Sequence, residues 1–375
     1  MKNNSILNQL ILITAVILTI QSCKKDEPSE QEIAGSNVPE FFLDAANAKP
    51  QFVLIANADS RISEPQDLDF NPTRPNELWI INKGTAITGG STVMLTETGT
   101  PNQKFDYRKD GNSWHFMSLP SAIAFGDNGN WATTANVQDA NHNGGTFTGP
   151  TLWSSDLDIY AKDHGPDANG SHLDMLHTSP FSMGVASQVD NIYWVFDGFN
   201  GNIVKYDFAA DHGPGQHYHG DGKVHRYAEV KVKREPNVPS HMVLDAAKEW
   251  LYIVDGGNKR ILRMNIKTGS KSRDLPLVNE ELAEYWEMLS VTWEEFIPSS
   301  FGLNKPCGIA INDNRLFVSD YETGEVICIN IPTKTEMARI NTGAKGIMGI
   351  ALSKDNTIFY ANALTNQILK INPTK

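Results

Sequence analysis

The sequence predicts an all-β chain folded as a six-bladed β-propeller whose ring is closed by an N-terminal strand. Three observations carry this expectation. Short, β-prone apolar runs recur in a fixed order, each group opens at a loop that usually contains proline, and helical periodicity is nearly absent from the 375 residues. Residues 238–264 are the clearest unit. An apolar run at 242–244 leads through a turn to a second at 250–254. The turn Asp255-Gly256-Gly257-Asn258 then leads to a third at 261–264.

The same plan can be followed along the chain. Units start at Pro65, Pro120, Pro180, Pro239, Pro306 and Ile347, spaced 41 to 67 residues apart. Each continues to a second run ending in a small or polar residue: Asn82, Ala135, Asp197, Asp255, Asp320 or Asn362. The sixth unit has no residues left for a fourth strand, so the apolar run 51–56 is expected to supply it. Closing the ring this way removes sheet edges that would otherwise template aggregation. Two excursions interrupt the plan. Residues 138–150 form a long polar turn in the second unit. Residues 279–296 are expected to begin as a short amphipathic helix using Leu282, Tyr285, Trp286 and Leu289, with an outer strand over 291–297.

These units resemble the NHL-repeat six-bladed β-propellers, most strongly over 239–264, 305–329 and 346–371. The resemblance covers nearly all of residues 51–375 and implies the fold. Such propellers serve many functions, so it implies no particular chemistry. The propeller is accordingly expected over 49–375, after a signal at 1–22 and a polar tether at 23–48.

The N-terminal stretch has the layout of a secretory signal, with Lys2 followed by an apolar run over 6–20. Ile20-Gln21-Ser22-Cys23 resembles the bacterial lipoprotein processing box, which makes Cys23 the expected lipidated residue. The acidic residues that follow resemble export signals of Bacteroidetes surface lipoproteins. The expected location is therefore the bacterial cell envelope, on the outer membrane and with possible exposure at the cell surface. The membrane is engaged through the lipid alone.

Formal net charge is −12. Lys2 is the only charged residue in the signal, so the mature chain keeps 31 basic against 44 acidic residues. This balance argues against nucleic acid and anionic membrane surfaces as partners. Cys307 and Cys328 fall on non-neighbouring strands of one unit, which argues against a disulfide between them.

Two candidate site regions emerge. The start loops should converge on the channel mouth, where Gln66, Ser182 and His241 are ligand candidates, with Asp197, Asp255 and Asp320 just outside. Those aspartates also stand where a turn needs a side-chain acceptor. The second region holds seven of the ten histidines, between His164 and His225. Asp163-His164-Gly165-Pro166 recurs as Asp211-His212-Gly213-Pro214, and the two loops belong to neighbouring blades. His164, Asp211, His212, His217 and His219 are candidate ligands for a divalent metal such as zinc. Asp163, Asp167, Asn169 and Asp174 are an alternative calcium set, at spacings that miss the EF-hand pattern. The repeated tetrapeptide can equally be a duplicated turn. The two regions should open on opposite faces.

No catalytic residue can be assigned. The related peptidyl-hydroxyglycine lyases place zinc-ligand histidines directly after the start-loop prolines, where this chain has Gln66, Ser121, Phe181, Ser240 and Cys307. The expected function is a lipid-anchored binding or scaffold module for a protein, peptide or glycan. The alternative is a metal-dependent, lactonase-like hydrolase or lyase with its site at the channel mouth.

Overall fold

The computed structural model describes residues 38–42 and 50–373. Signal, Cys23 and most of the tether lie outside these residues. The fold is a six-bladed β-propeller. Blade one comprises Pro65–Phe70, Leu78–Thr85, Gly89–Thr96 and Lys104–Arg108; blade two comprises Pro120–Phe125, Asn130–Ala135, Thr151–Ser154 and Asp174–Met175. Blade four uses Met242–Asp245, Trp250–Asp255, Arg260–Asn265 and Trp293–Ile297; blade five uses Pro306–Asn312, Arg315–Asp320, Glu325–Asn330 and Thr335–Asn341. In each blade the first strand is innermost. Successive first strands abut one another, and the sixth returns to the first.

Blade six closes the ring as expected. Its inner strands Ile347–Leu352, Ile358–Asn362 and Gln367–Pro373 come from the end of the chain, and Pro50–Ala56 pairs antiparallel on the outside, Phe52 opposite Ile371. Val38–Phe42, within the stretch read as tether, is docked on the propeller. Phe41 is buried against Phe317, and Glu40 accepts hydrogen bonds from Arg315 and Asn312.

Blade three departs from the expected plan. To Ser182–Val189, Ile192–Asp197, Asn202–Asp207 and Lys223–Tyr227 it adds two strands, Glu284–Leu289 and Ser270–Asp274, making a six-stranded sheet. Glu284–Leu289 runs parallel to Lys223–Tyr227. The amphipathic helix expected over this stretch is therefore a strand. The outer edge of blade three offers unpaired backbone groups, and pairing with them outweighs a marginal local preference. Trp286 stacks on His225 with ring centroids 4.6 Å apart. The outer strand expected next is present at Trp293–Ile297.

Apolar side chains alternate into the layers between blades. Trp79, Trp131, Trp153 and Tyr160 are fully buried and pack together between blades one and two, with Trp79 and Trp131 ring centroids 5.2 Å apart. Cys307 and Cys328 are buried free thiols. Close approach of the inner strands sets local sequence: a Cβ on Gly349 would lie 2.0 Å from Asp67 Oδ1, and one on Gly184 would lie 2.1 Å from the Ser240 carbonyl oxygen.

Candidate functional site

The second-strand ends show what the aspartates there do. Asp197 accepts from the amides of Phe199 and Asn200 and from Arg226 Nη1 at 2.6 Å. Asp255 accepts from the Lys233 amide, Asn258 and Arg260. Asp320 accepts from the amides of Asn304, Lys305, Glu322 and Thr323. Asn82 and Asn362 occupy equivalent corners and accept from Ser63 and from Leu364 and Thr365. All five are almost completely buried. They clip turns and loops to the blade, as a short side-chain acceptor does in a tight turn.

The residues named for the channel mouth are also enclosed. Gln66 donates to the Glu64 carbonyl, Ser182 donates to the Ser179 carbonyl, and both side chains are buried. A small apolar cluster of Val238, Cys307, Met348 and Ala363 packs at this end. The channel's open space lies farther along the first strands. It is a cavity of about 240 Å³ lined by all six, mostly by aliphatic side chains, with Asp67, Asp69 and His241 as its ionisable groups.

His241 is a bolt across the ring. Its Nε2 donates to the Ser121 carbonyl at 2.9 Å, joining blades four and two, and its Nδ1 lies 3.5 Å from Asp67 Oδ1 on blade one. Asp67 and Asp69 each accept a backbone amide of blade two, from Ile123 and Phe125. Burial lowers the His241 pKa to about 4, against the opposing effect of the Ser121 bond. Burial also raises Asp67 to about 8, opposed by the Ile123 and Leu68 amides. It raises Asp69 to about 7, with the Phe125 amide opposing and neighbouring Asp67 adding to the rise. Asp67 and His241 are therefore a neutral pair at pH 7, not an ion pair.

The histidine-rich loops of blades two and three do meet. Asn169 donates its amide to the Gly215 carbonyl, and the Gly215 amide donates to the His172 carbonyl. Of the candidates named in these loops, the structure brings His212 and His219 into clusters with carboxylates. His212 Nε2 lies 2.8 Å from Asp221 Oδ1, and His219 Nδ1 lies 2.5 Å from Asp174 Oδ1. The other three are not in these clusters. His164 Nε2 bonds the Ile159 carbonyl, Asp211 accepts the Gly213 amide within its own turn, and His217 is exposed. Asp163 likewise accepts the Gly165 amide, so the repeated tetrapeptide is a duplicated turn.

Two partners were not legible in sequence. His177 Nδ1 lies 2.7 Å from Glu280 Oε2, and Glu280 also accepts the His177 amide. His177 lies within the histidine-dense stretch, but nothing local distinguishes Glu280 among 44 acidic residues. This region and His241 are separated by radius: His241 adjoins an innermost strand, whereas the clusters gather around the fourth strands. Beside them is a groove of about 190 Å³ lined by Thr146, His177, Thr178, Pro180, Phe199, Asn200, Val278, Asn279 and Tyr285. Phe199 is 53 % and Val278 70 % exposed. Sequence alone did not mark this groove, because four separate segments build it.

No family model matches the sequence, and no curated protein matches it. Among solved structures, the chain is similar to an auxiliary nutrient binding protein from Bacteroides ovatus ATCC 8483 at TM-score 0.53 and 13% identity, covering 87% of this chain and 74% of that one. A second auxiliary nutrient binding protein, from Bacteroides thetaiotaomicron VPI-5482, aligns at TM-score 0.56 and 11% identity over 88% and 78% of the two chains. A protein of unknown function from the latter organism aligns at TM-score 0.54 and 10% identity over 87% and 76%. At these identities the shared property is the propeller fold.

Proposed function

We propose that this chain is a binding propeller of the bacterial cell envelope, lipid-anchored through Cys23, and that its ligand is a neutral glycan held in the groove between blades two and three. One observation carries the reading: the groove presents the exposed Phe199 ring among amide and hydroxyl side chains. An aromatic face covers the apolar side of a sugar ring, while amide oxygens accept from its hydroxyls. Asn200 and Asn279 fit this role. Their NH2 groups are held by Asp197 and by the carbonyls of Thr146 and His177. Each amide oxygen is thereby oriented for a ligand. The central polar groups, by contrast, hold blades together. Two propellers of similar fold are called auxiliary nutrient binding proteins, which supports a binding role over a catalytic one.

Calorimetry of the soluble mature protein against a panel of neutral oligosaccharides tests the reading. A bound member should lose at least tenfold in affinity on Phe199→Ala, about 1.4 kcal/mol, and again on Asn279→Ala, with circular dichroism unchanged. Retained affinity in both variants would place the ligand elsewhere, and a panel without a binder would remove the glycan assignment.

A further inference from the structure

The edge shared by blades two and three gathers donor atoms that the ring does not use. His177 follows the last strand of blade two, His219 lies in the loop before the last strand of blade three, and Glu280 lies in the hairpin loop between the two added strands. Far apart in sequence, the three place one donor atom each within 4.8 Å of one another. His177 is 3 % exposed, and its Nε2 has no hydrogen-bond partner. Asp174, fully buried, likewise leaves Oδ2 without one. Buried polar atoms are nearly always paired, so two orphans on residues that flank His219 ask for a missing partner.

The hydrogen bonds that are made favour a cation as that partner. His219 Nδ1–H donates to Asp174 and His177 Nδ1–H to Glu280. The Asp174 bond fixes the His219 tautomer and leaves its Nε2 lone pair free, the arrangement that supports histidine on a metal, whereas His177 Nδ1 and Glu280 Oε2 already face each other, and a cation would take the place of the proton between them. Neighbouring His212 is already satisfied by Asp221.

We propose that His177, His219 and Glu280 bind one first-row divalent cation of the zinc type, with Asp174 positioning His219. Two imidazoles and one carboxylate suit zinc and leave a coordination position open, whereas calcium takes six or more oxygens. Bonds of about 2.0–2.1 Å put tetrahedral donors about 3.3–3.5 Å apart, so the His177–Glu280 pair, now at 2.7 Å, must open slightly on loading. The ion would tie blade two, blade three and the added hairpin together at one point. The proposal does not depend on what the groove binds.

The test uses the mature chain without a polyhistidine tag, stripped by chelator, dialysed against zinc and analysed for metal, with calorimetric titration alongside. One zinc per chain and a rise of several degrees in melting temperature are expected. His177→Ala and His219→Gln should each remove stoichiometric binding, and Asp174→Asn should weaken it about tenfold. Exposed His217→Ala should leave it unchanged. Cobalt(II) provides a readout on the unmutated protein: visible absorption of a tetrahedral site should appear and be displaced by zinc. Protein that takes up neither ion, or uptake equally sensitive to His217→Ala, would overturn the proposal and leave the cluster as histidine–carboxylate pairs.

Discussion

His241 and Asp67 show how burial decides the state of a side chain. Taken alone, a histidine 3.5 Å from an aspartate reads as an ion pair. Inside the ring, dehydration penalises both charges, and the pair stays neutral. Asp69 and the buried Cys307 thiol face the same carboxyl. The sign of the pH dependence follows. From the ordinary aspartate value up to about 8, the unfolded chain has lost the Asp67 proton while the folded chain keeps it, so stability falls with rising pH. His241 acts oppositely between about 4 and its ordinary 6.5, where the unfolded chain binds the extra proton. Asp69 shares the fall up to about 7. Between pH 7 and 8, therefore, Asp67 contributes most of the decline, with a smaller share from Asp69. Asn at position 67 can still accept the Ile123 amide and donate to His241, but it does not titrate. Asp67→Asn should thus flatten the decline between pH 7 and 8 by about 1 kcal/mol. Urea melts of both proteins at the two pH values measure it; parallel declines would mean Asp67 is ionised in the folded state.

Pro50–Ala56 illustrates an element whose role is set by strands from the far end of the chain. Gln367–Pro373 would be a bare sheet edge without it. Phe52 anchors the strand, packing edge-on to Tyr360 with centroids 6.2 Å apart, whereas Leu54 is 48 % exposed. Phe52→Ala should cost about 1–3 kcal/mol, and Leu54→Ala less than about 0.5 kcal/mol, by urea denaturation. Equal costs would show that the strand is held by backbone pairing alone. Removal of residues up to Ala56 should expose the edge and produce concentration-dependent association on gel filtration. This strand was legible because the sixth unit stops after three strands. The added hairpin of blade three was not. Residues 284–289 carry a pattern compatible with a short helix, and only the edge of a sheet formed some 60 residues earlier makes them a strand.

At the scale of the molecule, legibility follows repetition. Six copies of one plan, five of them with an Asp or Asn at the end of the second strand, make the propeller readable. The turn role of Asp197, Asp255 and Asp320 was readable for the same reason. The outer cluster was half readable, since histidine density marked His212 and His219, while Glu280 arrives from a loop that belongs to no repeat. The groove beside it joins both blades to that loop and leaves no mark in any one segment. Its position matters for how the whole protein would work in the envelope. Under the proposed anchoring at Cys23, the ring can turn its rim toward a ligand only as far as the intervening chain reaches. Phe41 docks on the propeller, so that reach is counted to Val38 and not to residue 50. Fewer than twenty residues separate Cys23 from Val38, which at about 3.3–3.6 Å per fully extended residue is a reach of roughly 50 Å. Cys23→Ser should release the propeller from outer-membrane fractions into the soluble fraction, with its melting temperature unchanged. Retention on the membrane would assign the attachment to the propeller itself.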